Sequence, residues 1–413
     1  MKTSTLERGQ ALILIVFAIV GLVAVTGLAV DGGMAYSDRR NAQNAADASA
    51  LAGALAHIRG RDPVAAANSS ALKEGFNNNG TTNTVSVTVT NVGIGYCPNL
   101  MTGKDITVQI SWRSTTYFAP VLGVRQINNT VRATARSCDS YVGPIFPGNA
   151  IVALAPSGIG FDAAGTPNWA VYGGGIFSNS SGTPSARCKG ASDVLAPSLT
   201  TVGSVTFQCA ADVHLTTTGA TQFKFSDYSG LLPHAPTCTG DARKVGNFWV
   251  AQKDADGSKV AFSGNMQFGP GLFCVTNSPG PFHGTIQGSG VTFYLMPANF
   301  TMKLSGGGTF TATAPTSGKY MGLLMFSAPQ LSGGVLQSTQ SIDLRGNGTG
   351  DVRGSIIVPS ANVTMFGNSN STGYSTQIIA YHVDSGGTSN IFINYNASVG
   401  FQTDQPAWLT LLR

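Results

Sequence analysis

Charge is what this chain has least of. Asp, Glu, Lys and Arg make up 10% of its 413 residues, where a soluble domain usually carries about 25%. Only Glu7 and Glu74 of the 19 acidic residues are glutamates. A chain this short of Glu and Lys has given up strong helix formers, so a largely helical protein is excluded. The net charge of +5 comes from cations scattered singly. There is no basic block and no aromatic interleaving of the kind a phosphate backbone requires, which excludes nucleic acid as a partner. No Cys-x-x-Cys occurs, and His57, His214, His234, His283 and His382 fall in no metal-ligating spacing, so neither a metal nor a cofactor is expected. There is no Gly-x-Ser-x-Gly nucleophile elbow, and acids are too few to supply the carboxylate cluster of a polysaccharide hydrolase. The polar residues Asp351, Arg353, His382 and Asp384 are the best candidates in a chain expected not to be an enzyme.

Glycine fills part of the gap, with 52 residues, alongside abundant Ser, Thr and Asn. These are residues of turns and strands, and the fold class expected is α+β, mostly β. The exception is the N-terminus. Residues 11–30 read ALILIVFAIVGLVAVTGLAV, uncharged throughout, and at ~1.5 Å per residue they span a hydrocarbon core about 30 Å thick. Lys2, Arg8 and the terminal amine precede the stretch, giving a cytoplasmic tail at 1–10, a transmembrane helix at 11–30 and an extracytoplasmic remainder. The competing signal-peptide reading is disfavoured, because the stretch exceeds the usual ~7–15 residue apolar core and no clean A-x-A site follows.

Export makes the six cysteines interpretable, since disulfides persist outside the cytoplasm. Their order suggests sequential bridges Cys97–Cys138, Cys188–Cys209 and Cys238–Cys274. Beyond the membrane, the Ala-rich, Pro-free run 31–59 continues the helix. Small residues at 42, 45/46, 49, 52/53 and 56 recur on one face, where a second helix or another copy of the chain could approach closely. Asp62-Pro63 opens a second helix over 63–76. Alternating strand signals at 85–89, 106–112 and 127–135 complete a pilin-like α+β module over 31–140, with a short amphipathic turn at 117–124.

A Pro- and Gly-rich linker is expected at 141–149. From 150 to 413 short apolar runs alternate with Gly, Ser, Asn and Thr clusters, and the cue GSIIV at Gly354 returns as TQIIA at Thr376. This predicts a large β domain, a parallel β-helix in preference to a β-sandwich, with 247–262 projecting as a hairpin around Asp254-Ala255-Asp256-Gly257. That loop opens like a calcium site but lacks the Glu at its twelfth place, so it is read as a plain turn. Triplets N-x-S/T, as at Asn68, Asn128, Asn299, Asn362 and Asn396, are common in any chain so rich in Asn, Ser and Thr.

Arg8-Gly9-Gln10 before the apolar stretch, Ala29-Val30-Asp31 at its end and the run from Gln43 to Ala54 together carry a resemblance. In these features the N-terminal region resembles the Flp (tight adherence) pilus-assembly TadE/TadG-like family. The motif residues are Asp31, Gln43, Asn44, Asp47, Leu51 and Gly53. The resemblance implies a membrane-anchored, non-enzymatic assembly or minor pilin-like protein whose partners are other pilus or secretion components or itself. Asp47 is placed where it could pair with an Arg of a neighbouring chain. If cleavage followed Gly9, Leu14 would hold the place of the pilin glutamate, so pilin-style processing is not expected. The D-x-S-x-S metal-adhesion motif of some members is absent, so metal-dependent adhesion is not carried over. The alternative from another class is a tethered β-helix that binds or cleaves surface polysaccharide, with cell-surface glycans as partner.

Overall fold

The computed structural model describes residues 8–92, 97, 102–252, 256–304, 307–345, 351–367, 373–388 and 390–412. Lys2 and Glu7 of the expected cytoplasmic tail, and Asp254 of the calcium-like turn, lie outside them. The chain is 46% strand and 18% helix, mostly β as its composition requires, and it divides into two units, Met1–Tyr141 with Pro406–Arg413, and Val142–Gln405.

In the first unit one continuous helix, α1 (Arg8–Ile58), is followed by α2 (Pro63–Lys73). Asp62 caps α2, its carboxylate accepting the N–H groups of Val64 at 2.9 Å and Ala65 at 3.3 Å, with Pro63 in the first turn where a missing N–H costs nothing. The helix was expected to reach Phe76. It stops earlier because Gly75 takes φ +91° and the N–H of Phe76 turns back to the Ala71 carbonyl at 2.9 Å, a left-handed C-cap that glycine adopts without strain.

Strands β1 (Asn83–Val92), β2 (Gly103–Thr115), β3 (Gln126–Cys138) and β4 (Trp408–Leu412) pair antiparallel in that order. Alternation sends Ile106, Val108, Ile110 and Trp112 of β2 and Val131, Ala133 and Ala135 of β3 to one face, where they meet the alanines of α1 and α2. β4 corrects the sequence reading, which assigned everything after 150 to the β domain. Leu411 stands opposite Ala135 and packs against the same core, so the chain's last strand closes the edge of its first sheet. Cys97 is bonded to Cys138, with Cα atoms 5.8 Å apart.

The second unit is built from short strands whose ladders are parallel, apart from one hairpin and small peripheral pairs. Three columns of inward side chains run through them. One is Leu199, Ile176, Ile151, Ile378, Ile356, Met325, Phe293 and Phe273, successive members being register partners. A second runs Val205, Ala186, Phe161, Val383, Val363, Ile342 and Met302. The third runs Val171, Ile393, Tyr374, Val352, Ala312, Gly288 and Phe268. These belong to one buried cluster, with Val205 partly buried at its edge and Gly288, which has no side chain to contribute, outside it. The two repeat cues are neighbours in the first column, Ile356 pairing with Ile378 and Ile357 with Ile379. Gly354 opens the first cue at φ +113°, where a Cβ would collide with that of Ala314 on the adjoining rung, so the corner requires glycine.

The order of the rungs departs from the order of the chain. The chain enters the stack in its middle, at Asn149–Ala153, and winds outward to Thr216–Thr217 at one end. It then crosses to the opposite end and winds back from Ser258–Val260 until Ile378 pairs with Ile151. The crossing segment lays Tyr228 and Leu232 on an outer apolar face formed by Val152, Phe177, Leu323, Phe326, Ile357 and Ile379. Asn179 pins it by exchanging two 2.8 Å hydrogen bonds with the Phe223 backbone, and Cys238 bonded to Cys274 ties its end to the stack. Cys188–Cys209 staples the terminal rungs.

Two further expectations are corrected. The linker 141–149 is packed structure, with Ile145 and Phe146 buried, because apolar side chains inside a Pro- and Gly-rich run still seek a core. The hairpin expected at 247–262 is absent among the described residues. Phe248–Val250 and Ser258–Val260 each join the stack in parallel, and the antiparallel hairpin lies one strand earlier, between Arg243–Val245 and Phe248–Val250.

Candidate assembly helix

α1 has two halves of opposite character. Along the first, the large side chains from Leu12 to Leu28 are 51–76% exposed, and the segment is long and apolar enough to cross a membrane. The second half is a strut inside the first unit. Ala42, Ala45, Ala46, Ser49, Ala50 and Ala54 have no solvent exposure. The small-residue face that could have received another chain is therefore filled from within, by α2 and by β2 and β3.

The motif residues divide accordingly. Gly53 sits where α1 approaches its neighbours most closely: a Cβ there would lie 2.9 Å from Ile106 Cγ2 and 3.0 Å from the Pro63 carbonyl oxygen. Leu51 packs at the margin of the same core. Gln43 donates to Asp47 at 2.9 Å and to the Arg132 carbonyl of β3 at 3.3 Å, so the Asp47 carboxylate has a partner one helical turn away on its own helix. Asn44 is exposed. Asp38 ends a chain of bonds in which Trp112 Nε1 donates to Ser114 Oγ at 3.0 Å and Ser114 Oγ to Asp38 at 2.8 Å.

Asp31 makes the densest contact. It is 6% exposed, and its carboxylate accepts the backbone N–H groups of Tyr117 (2.8 Å), Phe118 (3.1 Å) and Ala119 (2.7 Å), the entry to a 3-10 turn, Ala119–Leu122. The Tyr117 bond foremost, against the opposing effect of burial, holds its pKa below the usual 3.8. One turn earlier a Cβ on Gly27 would lie 2.7 Å from that of Phe118. The sequence offered a signal for this joint, a lone acid ending an apolar stretch and an apolar turn at 117–124, but nothing to connect them.

In the second unit His382 Nδ1 lies 2.7 Å from the Ile159 carbonyl and Nε2 lies 3.7 Å from Asp384. Burial works against its cation, but nearby Asp384, the Ile159 carbonyl and the charge of Asp162 together raise its pKa. Asp351 pairs with its near neighbour Arg353 at 2.8 Å. Asp343 is raised by burial, which the Arg345 and Lys303 charges only partly offset. Asp256 of the calcium-like turn is engaged by Lys319 at 3.2 Å and the Tyr320 hydroxyl at 3.1 Å.

These features define an α+β unit carried on a protruding apolar helix, its motif residues other than exposed Asn44 engaged in internal contacts and in one carboxylate-capped turn. The helix itself is what known proteins share. Residues 9–56, all but the ends of α1, match the model of the Tad family, described as Flp pilus-assembly TadE/G-like. No curated protein and no solved structure matches the chain.

Proposed function

We propose that this protein is a membrane-anchored, non-enzymatic structural or assembly component of a Flp/Tad pilus or secretion system. In this reading its N-terminus is cytoplasmic, residues 11–30 cross the bilayer, and everything from residue 31 onward is exported. The observation that carries it is coincidence: the family match, 9–56, lies wholly within α1, Arg8–Ile58, and covers both its bare apolar half and its packed half. Three disulfides support an oxidising compartment. The three parallel columns support a parallel β-helix for Val142–Gln405, since a sandwich is built from antiparallel sheets.

The anchored helix would engage other pilus or secretion components, with the β unit as an outward surface. The test is photo-cross-linking of the full chain in its native membrane, with the cross-linker placed at Leu14, Phe17 and Asn44, all exposed. Recovery of pilus or secretion components is the expected outcome, and adducts with none of them would overturn the assignment. A second reading, binding of a surface glycan, has one observation in its favour. Asp343, Thr364, Asp384, Asp162 and Arg187 stand in register across successive rungs, a half-exposed polar column repeating at about 4.8 Å. Reproducible binding on a glycan array would favour it, and turnover of any arrayed glycan would contradict the non-enzymatic reading.

A further inference from the structure

The turn held by Asp31 presents an unusual tip. Tyr117 is 67% exposed, Phe118 44%, Val121 91% and Val124 46%, so these four apolar side chains of a short loop face outward. Most of its backbone N–H groups, by contrast, have partners inside the protein. The N–H groups of Tyr117, Phe118 and Ala119 go to Asp31, and residue 120 is proline. Those of Val121, Gly123 and Val124 go to the carbonyls of Phe118, Pro120 and Ala119 at 3.0–3.2 Å. Thr116 Oγ1 donates to the Val124 carbonyl at 2.6 Å. In water such satisfaction is optional, because solvent would complete any open group. In hydrocarbon each unpaired group costs several kcal/mol, by the order-of-magnitude penalty for lipid-exposed backbone. Apolar side chains outside and paired N–H groups inside are what a lipid surface selects.

The position agrees. The loop lies against α1 at Gly27 and Asp31, the last turn of the apolar stretch. The four-residue step from Gly27 to Asp31 rises about 6 Å, within the ~5–10 Å to which interfacial elements sink at the boundary of headgroups and acyl chains. Tyr117 and Phe118 supply the aromatic side chains favoured at that level, and Arg125, exposed at the loop's exit, is placed to reach lipid phosphates.

We infer that the loop 117–124 is a second membrane contact, dipping into the outer interface of the bilayer beside the anchor. The inference rests on the reading of 11–30 as membrane-spanning, and the occupant is lipid. Asp31 is then the joint that fixes the first unit to the membrane plane: it docks the loop on the anchor, so the exported strut of α1 leaves the bilayer at a set angle.

Full-length protein in phosphatidylglycerol/phosphatidylethanolamine vesicles, carrying an environment-sensitive fluorophore on a new cysteine, tests this. Three positions suffice: Val121→Cys at the loop tip, Ile19→Cys in the anchor and Ala48→Cys, exposed about 26 Å beyond Asp31 along α1 at ~1.5 Å per residue. Nitroxides attached high on the acyl chains should quench the Val121 probe and blue-shift it, deep nitroxides should quench Ile19, and neither should reach Ala48. With Asp31→Ala the Val121 quenching should be lost while that at Ile19 persists. Quenching at Ile19 without Val121 overturns the loop contact and leaves the anchor standing. A blue shift at Val121 without quenching means protein covers the loop, and also overturns it. Absence of quenching at Ile19 overturns the spanning reading itself.

Discussion

The seam where Ile378 meets Ile151 is the contact on which the β unit's order of rungs depends. Both side chains have no solvent exposure and sit between Ile356 and Ile176 in one column. Beside them Gln377 Nε2 donates to the carbonyls of Phe146 (3.0 Å) and Asn149 (2.9 Å), 231 and 228 residues earlier in the chain. Truncating either isoleucine to alanine in a fully packed site costs about 2–5 kcal/mol. Local exchange of the seam amides should then accelerate roughly 30-fold to several-thousand-fold, at 1.36 kcal/mol per decade. The double variant Ile151→Ala/Ile378→Ala opens a shared cavity, so its cost should fall short of the sum by about 0.5–3 kcal/mol. The control pair is Ile151→Ala/Phe273→Ala. Phe273 lies in the same column but five rungs away, about 24 Å at ~4.8 Å per rung, and the two costs should add. Hydrogen exchange of the full chain in detergent, read on peptides spanning Asn149–Ala153 and Ile378–Gly386, gives both cycles. Additivity at the seam, equal to that of the control, would refute the stacking order.

Other consequences follow from the first unit. Because the Asp31 carboxylate is held below its ordinary pKa, its contribution is fully present above about pH 3.8 and lost as pH falls through the lower folded value; exchange of the Tyr117, Phe118 and Ala119 amides should rise only in that acid range, and in Asp31→Asn it should already be raised at neutral pH. Gly53→Leu forces bulk against Ile106 and the Pro63 carbonyl and should destabilise the unit by about 1–3 kcal/mol; an unchanged urea midpoint would contradict the close approach of α1. Replacing Cys97 and Cys138 by serine opens a loop of 41 residues, worth about 4 kcal/mol of unfolded-state entropy, and the variant should lose the reductant sensitivity of the first unit's urea midpoint.

Sequence exposed what is local and periodic. The apolar stretch, the Ala-rich face of α1 and the alternation of β2 are patterns of a few residues repeated, and each found its predicted element. The three disulfides join cysteines adjacent in sequence, which is why their order could suggest them. The repeat cue at Gly354 and Thr376 could be seen because those rungs are consecutive in chain and in space. The partner of the rung at Ile151 could not be read, because an isoleucine column fits any isoleucine rung and nothing local in 149–153 says that 378–380 lies beneath it. β4 was hidden for a related reason. WLTLL at 408–412 is the same alternating signal as the strands before it, and only the edge left open beside β3 decides where it goes. At the joint, Asp31 and Phe118 are separate features in sequence, and a hydrogen bond 87 residues apart leaves no periodicity to detect.

Entry at mid-stack has a mechanical consequence. In a stack wound from one end to the other, the chain would enter and leave at opposite ends. Here the first and last rungs are neighbours, so the β unit begins and finishes at the same level, where Gln405 Nε2 donates to the Pro144 carbonyl at 3.4 Å. The chain can then return as β4 to the sheet it left at β3. The two units are thereby joined by two covalent connections, at 141–142 and 405–406. A pull on the β unit is divided between them, and on the C-terminal side it loads the hydrogen bonds of β4 along β3, five register pairs strained together in shear.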